Sequence, residues 1–220
     1  MRTWTPVCLI WLVSLTGGCT TSYRVKLDSV AKPDANAISY SLRNISSLET
    51  DDSLRSREVS SMVRTALSGR GLYEAPAKVV ADMIVNIEYG MKPVVRRETR
   101  WKLPASSKSA NNGRITRTNP DGFLEVPEAP VWEQVQVEVL TYEKYVHLTA
   151  RENIPITKGM APVEVWSVDV TSEGKSRNLR QYLPVLIAAT IEYMGRDSHG
   201  QKSIRIKDTD ADLVFVKQGM

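Results

Sequence analysis

Apolar and polar side chains alternate near the start of the chain in the way that half-buried strands require. Residues 23–30 (YRVKLDSV) and 37–43 (AISYSLR) both alternate, and turn-forming residues at 32–36 lie between them. Residues 81–89 repeat the two-residue period and are rich in β-branched side chains. These patterns predict two opening strands and a third strand further along the chain.

A helical spacing of apolar residues separates these strands. Val59, Met62, Val63, Ala66 and Leu67 fall on one face of a helix predicted over about 52–69. Side chains suited to capping its start come just before it: Asp51, Asp52 and Ser53. A glycine at 69 or 71 is predicted to end it.

The second half of the chain contains three more alternating segments and a second helical pattern. Residues 132–140, 144–151 and 163–170 alternate, with turns predicted between them, as in an antiparallel meander. A second amphipathic helix is predicted from a cap at Ser176 to Gly195, with Pro184 either kinking it or marking a first turn. Residues 203–207 and 212–216 are predicted as closing strands.

These elements predict an α+β fold with a mainly antiparallel β-sheet and two amphipathic helices packed on one face. Residues 23–220 are long enough for one domain of this kind. Within it, residues 104–130 are rich in Pro, Ser, Asn and Gly and are predicted to form a long polar loop.

The first residues of the chain have a different character. Arg2 is followed by an apolar run from Val7 to Leu15, which is too short to span a bilayer as a helix and is typical of a signal peptide. The run leads into Leu15-Thr16-Gly17-Gly18-Cys19, which resembles the lipobox of bacterial lipoproteins. An ordinary secretory peptide or a buried N-terminal helix is the alternative.

The lipobox resemblance implies cleavage between Gly18 and Cys19 and acylation of the Cys19 sulfur. Residues 1–18 would then be a signal peptide and residues 19–22 a lipidated tether. The chain has two cysteines, and Cys8 would be removed with the signal peptide, which leaves Cys19 as the single thiol. Thr20 follows where inner-membrane retention signals have Asp, so the resemblance favours the periplasmic face of the outer membrane.

Further along, three features resemble small uncharacterised lipoproteins of Gram-negative outer membranes. They are the helix end at 66–72 (ALSGRGL), the Ala-Asp strand start at 81–82 and the segment 162–166 (PVEVW) before the second helix. The resemblance implies an α/β core and no agreed catalytic residues.

The net charge of the chain is small, but basic residues are concentrated in one segment. The chain has a net charge of +4, which gives no indication of nucleic-acid binding. Between residues 92 and 117, however, one acidic residue, Glu98, faces eight basic ones: Lys92, Arg96, Arg97, Arg100, Lys102, Lys108, Arg114 and Arg117. With Trp101, this basic segment is a candidate site for anionic headgroups of lipid or lipopolysaccharide. A solvated strand edge is the alternative interpretation.

Motifs of catalysis and metal binding are not evident in the sequence. His147 and His199 lack partners at zinc-ligand spacing, and there is no Gly-x-Ser-x-Gly elbow. Residues 208–212 (DTDAD) begin like a calcium loop but lack its later Gly and Glu. We therefore expect no cofactor and a non-catalytic binding or scaffolding module in the envelope, whose partner is an envelope protein or anionic lipid. A lipid-transport component and a periplasmic enzyme on an envelope polymer are the alternatives.

Overall fold

A computed structural model describes residues 21–33, 37–45, 53–102, 132–153 and 162–220. The strands are β1 (Ser22–Ala31), β2 (Ser39–Asn44), β3 (Tyr73–Glu74), β4 (Met83–Lys102), β5 (Glu133–Glu152), β6 (Glu164–Gly174) and β7 (Lys202–Lys207). The helices are α1 (Leu54–Gly69), α2 (Leu179–Thr190) and α3 (Ala211–Lys217), with a 3-10 turn at Ile191–Tyr193 after α2. The predicted signal peptide, residues 19 and 20 of the tether and the loop at 104–130 lie outside the described residues.

The strands form one seven-stranded sheet in the order β3-β2-β4-β5-β6-β1-β7. The strands from β4 to β7 in this order pair antiparallel, whereas β2 runs parallel to both of its neighbours, β3 and β4. The fold is thus mixed α/β with strands dominant, and the sheet is mixed. The parallel pairing arises because α1 crosses over between β2 and the strands that follow it.

Helix α1 begins and ends close to the predicted positions. Ser53 is its N-cap, and the Ser53 hydroxyl accepts a hydrogen bond from the Ser56 backbone N–H at 3.0 Å. At the other end, the Leu72 N–H donates to the Leu67 carbonyl, and Gly71 has a φ of +85°. A positive φ favours glycine, so Gly71 supports the exit of the chain from the helix.

Helix α2 is shorter than its predicted span. Asn178 rather than Ser176 is its N-cap, and the Asn178 side chain accepts from the Gln181 N–H at 3.3 Å. Pro184 lies inside the helix as the sixth of its twelve residues, and the turn that follows the 3-10 segment contains Gly195 with a φ of +69°. Helical geometry thus accommodates the proline, and a glycine in the left-handed region ends the segment.

The core lies between one face of the sheet and the helices. Alternate residues of the strands are buried, as in Tyr23, Val25 and Leu27 of β1, and they join the apolar faces of α1 and α2 in one cluster. The residues between them, such as Arg24 and Lys26, are exposed. We call the uncovered side of the sheet the outer face. Its exposed polar side chains do not pack in the core, so core packing does not determine which residues stand there.

Two of the elements predicted from the sequence are wrong. A turn was predicted between residues 140 and 144, but β5 runs without interruption through Thr141, Tyr142 and Glu143. Thr and Tyr fit a pleated strand well, so these polar positions continue the strand and do not form a turn. Residues 212–216 were predicted as a strand but belong to α3, where Leu213 and Val216 are buried at helical spacing.

No helix among the described residues is both long and apolar enough to cross a membrane.

Candidate functional site: the β4–β5 arm

Strands β4 and β5 extend well beyond the rest of the sheet. They pair with each other without a break from Met83 and Glu152 to Lys102 and Glu133. Strand β6 reaches only to the level of Tyr142, where Gly174 is its last partner. We call the remaining two-stranded part, residues 94–102 and 133–141, the arm. At about 3.3 Å per residue its nine-residue strands have a contour length of about 30 Å.

The arm leaves the sheet at the end where the described chain begins. Strand β1 starts at Ser22, which pairs with Lys207, and the Thr21 carbonyl accepts from the Asp208 N–H at 3.1 Å. Antiparallel pairing through β6 puts this start of β1 beside Gly174, and hence beside the base of the arm. The predicted tether and the arm therefore emerge from the same end of the domain.

Acidic partners lie beside four of the five described basic residues of the segment 92–117. Lys92 pairs with Glu143 at 2.7 Å, Arg97 with Glu138 at 3.5 Å and Arg100 with Glu98 at 2.9 Å. Arg96 forms an ion pair with Glu173 of β6. These acidic residues come from β5 and β6 as well as β4, so the sequence alone did not reveal them as partners. Trp101 and Lys102 lie at the far end of the arm, whereas Lys108, Arg114, Arg117, Gly18 and Cys19 lie outside the described residues.

A polar network fixes the base of the arm to the sheet. The Thr141 hydroxyl donates to Glu173 Oε1 at 2.7 Å, and Arg96 binds the same carboxylate. Although partial burial acts to raise the pKa of Glu173, the hydrogen bonds from Thr141 and Arg96 together hold that pKa below its usual range. These residues border an open cavity of about 320 Å³ on the outer face, which Arg24 and Lys26 also line. The network makes the arm base a defined structure with opposite charges in balance.

The other side of the arm, continuous with the helix-covered face of the sheet, is apolar in part. Val95 and Leu140 are direct cross-strand partners, and both are largely exposed. Further out, Trp101 and Trp132 together line a shallow cleft. Of these residues, only Trp101 was identified as a candidate from the sequence. The alternation of residues 132–140 indicated a strand that contains Leu140 and begins at Trp132. The pairing register was needed to show that they share a surface with Val95.

A second polar cluster lies on the outer face of the central strands. His147 Nδ1 is hydrogen-bonded to the carboxylate of Asp169, and His147 Nε2 is 2.8 Å from the Thr149 hydroxyl oxygen. The hydrogen bond to Asp169 raises the pKa of His147 above its ordinary value, although burial opposes it. A carboxylate, an imidazole and a hydroxyl in this order are what nucleophilic catalysis uses. Thr149 is only 6% exposed, so its hydroxyl is poorly placed for attack on a substrate.

A lysine is buried beneath the helices at the base of the arm. Lys144 is fully buried, its Nζ lies 4.3 Å from the centre of the Tyr182 ring, and it donates to the Gly174 carbonyl at 3.3 Å. Burial lowers the pKa of Lys144, and the negative charge of Glu173 only partly offsets this effect. Its long side chain thus links β5, the end of β6 and α2.

The described residues contain no group of three or more His, Cys, Asp or Glu side chains arranged to hold a metal ion. Asp210 of the 208–212 segment instead accepts a hydrogen bond from the Lys207 N–H at 2.8 Å, at the turn that leads into α3.

Comparison with known proteins gives only distant similarities. No family model and no curated protein matches the chain. Among solved structures, a PDZ domain protein from Parabacteroides distasonis ATCC 8503 is similar at 10% identity and a TM-score of 0.41, over 84% of this chain. The present chain spans 39% of the length of that protein.

Two structures of the PelC dodecamer from Paraburkholderia phytofirmans are similar at 15% and 16% identity, each with a TM-score of 0.37. They cover 78% and 79% of this chain and 98% and 99% of their own chains, respectively. Similarities this distant do not identify a function.

Proposed function

We propose that this chain is an exported bacterial lipoprotein, anchored by acyl chains on Cys19 at the periplasmic face of the outer membrane, and that it acts as a non-catalytic binding module through the arm. The signal-peptide pattern of residues 1–18 and the position of Cys19 support the anchoring. Two or three acyl chains would hold the domain stably, since each buried CH₂ contributes about 0.8 kcal/mol.

The arm is the observation that carries the binding proposal. A two-stranded ribbon without further strands is only marginally stable in water. The edge of β4 that faces away from β5 has no partner strand beyond Ile87 among the described residues. The edge of β5 that faces away from β4 likewise has none before Tyr142. Exposed Val95 and Leu140 add an apolar surface that contributes little to the core. Such features are typical of a surface that is completed by a partner.

Two experiments test this function separately. Mass spectrometry of the native chain should find an acylated Cys19 at the N-terminus, and Cys19→Ser should release the protein from the membrane fraction. A photo-crosslinking residue at exposed Thr99 in the arm should capture a partner that the same residue at exposed Ser203 in β7 does not capture. A bare thiol at Cys19 contradicts the anchoring, and equal capture at both positions contradicts the role of the arm.

An enzyme is the second candidate, and the Asp169–His147–Thr149 cluster is the specific observation that favours it. It ranks below the binding module because the Thr149 hydroxyl is nearly buried. Ester hydrolysis by the wild type that is lost in both His147→Gln and Thr149→Val would favour the enzyme. Activity that is equal in the wild type and both variants would exclude this centre.

A further inference from the structure

The far end of the arm presents a pair of aromatic side chains. Trp101 is 61% exposed and Trp132 is 53% exposed, and the two line the same cleft. Large apolar side chains that stay this exposed at the end of a projecting ribbon do not stabilise the fold. Tryptophan is enriched where a protein meets the headgroup boundary of a bilayer, because its ring is apolar while its indole N–H can hydrogen-bond.

Two further exposed apolar side chains lie nearer the domain. Val95 and Leu140 share the side of the arm that bears Trp101, as the cross-strand register shows. The opposite side of the arm carries ion pairs, including Arg100 with Glu98. On the side of Val95 and Leu140 the ion pair Arg97–Glu138 separates them from Trp101, so the apolar surface of the arm that can meet a bilayer is concentrated at its far end.

The charges of the described arm do not favour an anionic surface over a neutral one. Each of Arg96, Arg97 and Arg100 has a carboxylate within ion-pair distance. Breaking these pairs to bind lipid phosphates would give up one favourable contact for another. The tryptophans are uncharged, so no ion pair has to be broken for them to enter a bilayer, and they supply the larger gain on contact with it.

The position and the length of the arm determine which bilayer the two tryptophans can contact. The chain enters β1 at the end of the domain from which the arm leaves. Residues 19–21 can span at most about 10 Å, whereas the arm has a contour length of about 30 Å. A domain held by Cys19 therefore has the tip of its arm within reach of the same membrane.

We propose that Trp101 and Trp132 insert into the headgroup boundary of the membrane that holds the anchor, so that the domain has a second, non-covalent attachment beside its lipid. This inference rests on the anchoring proposed above. The arm then fixes the orientation of the domain at the membrane surface, and the sheet and helices are held in one direction rather than tumbling on the tether.

The test uses the acylated mature protein, which begins at Cys19 and so lacks Trp4 and Trp11, reconstituted in phosphatidylcholine vesicles with brominated acyl chains that quench nearby tryptophans. We expect quenching in the wild type and its loss in the Trp101→Gln/Trp132→Gln double variant, where buried Trp166 provides the remaining core emission. Tyr73→Gln is the matched control, because Tyr73 is also 53% exposed but lies on β3, at the far edge of the sheet. This control should keep the full quenching.

Four outcomes decide between this inference, the anchoring on which it rests and binding through charge. Quenching in neutral vesicles that persists at high salt supports it. Unquenched tryptophans in a chain shown by mass spectrometry to be acylated overturn it and leave the anchoring intact, whereas the absence of acyl chains overturns the anchoring. Quenching that needs anionic lipid and disappears in salt also overturns it, in favour of binding through the basic side chains.

Discussion

Gly90 and Tyr145 provide the sharpest test of how the sheet is built where the arm begins. They are direct partners across β4 and β5, and the Tyr145 ring lies over the glycine. A Cβ at Gly90 would lie 2.6 Å from Tyr145 Oη and 2.8 Å from Tyr145 Cζ. An aromatic side chain that covers a cross-strand glycine is a known device for fixing strand register. We therefore predict that Gly90→Ala destabilises the domain because the ring must move.

The magnitude follows from two opposing effects. Inserting a methyl group into an occupied space costs about 1–3 kcal/mol. Because Gly90 does not have a positive φ, alanine is compatible with its backbone, and the reduced freedom of the unfolded chain returns about 0.4–1 kcal/mol. The net loss is about 1 kcal/mol, or roughly 2–4 °C in Tm for a domain of this size.

A double-mutant cycle, measured by urea unfolding, assigns the effect to the ring. In a Tyr145→Ala background the space above residue 90 is open, so Gly90→Ala should be neutral or slightly stabilising there. The coupling between the two changes should be about 1–3 kcal/mol. Equal effects of Gly90→Ala in the two backgrounds would show that the Tyr145 ring is not the cause. A gain in stability when Gly90→Ala is made in the wild type would show the same.

Three further predictions concern capping and charge. Ser53→Ala should cost about 1 kcal/mol of unfolding free energy, because α1 loses its N-cap hydrogen bond. Glu173→Gln should cost about 1 kcal/mol at neutral pH, since the pKa of Glu173 is depressed. Its carboxylate stabilises the fold above the unfolded pKa, and this contribution is lost as the pH falls through the folded pKa, so wild type and variant converge in acid. Asp169→Asn should lower the pKa of His147, which NMR titration measures directly. Because the folded pKa of His147 is raised, Asp169 stabilises the fold fully below the unfolded value of about 6.5 and ceases to do so as the pH rises through the folded pKa.

Each of these has an outcome that contradicts it. Ser53→Thr keeps a hydroxyl and should retain most of the stability that Ser53→Ala loses, so equal losses would exclude the cap. A deficit of Glu173→Gln that is the same at pH 7 and in acid would show that its charge is not responsible. A pKa of His147 unchanged by Asp169→Asn would exclude the ion pair.

The strands and α1 were predictable from the sequence because each has one buried face. Alternation in β1 and the helical spacing of Val59, Met62 and Val63 reflect burial against a single core, and the structure places these residues there. Ser53 was predictable as a cap because capping is a local interaction. The parallel pairing of β2 was not, since it depends on which strand lies beside it after the chain has crossed over.

The arm was only half predictable for a similar reason. The basic residues from Lys92 to Lys102 are visible in the sequence, but the carboxylates that pair with three of them lie about 40 to 80 residues away, in Glu138, Glu143 and Glu173. No local pattern reports such partners. The exposed pair Val95 and Leu140 likewise becomes a surface only once the hairpin register is known.

The orientation of the anchored domain tests most directly whether the arm points toward the membrane that holds Cys19. Energy transfer to a membrane dye can be compared for single cysteines placed at Gln134 in the arm and at exposed His199, which lies in the turn bonded to the opposite end of β1. With Cys19 acylated, the introduced thiol is the one available for labelling. We expect stronger transfer from Gln134→Cys than from His199→Cys. Equal transfer, or stronger transfer from His199→Cys, would contradict this orientation.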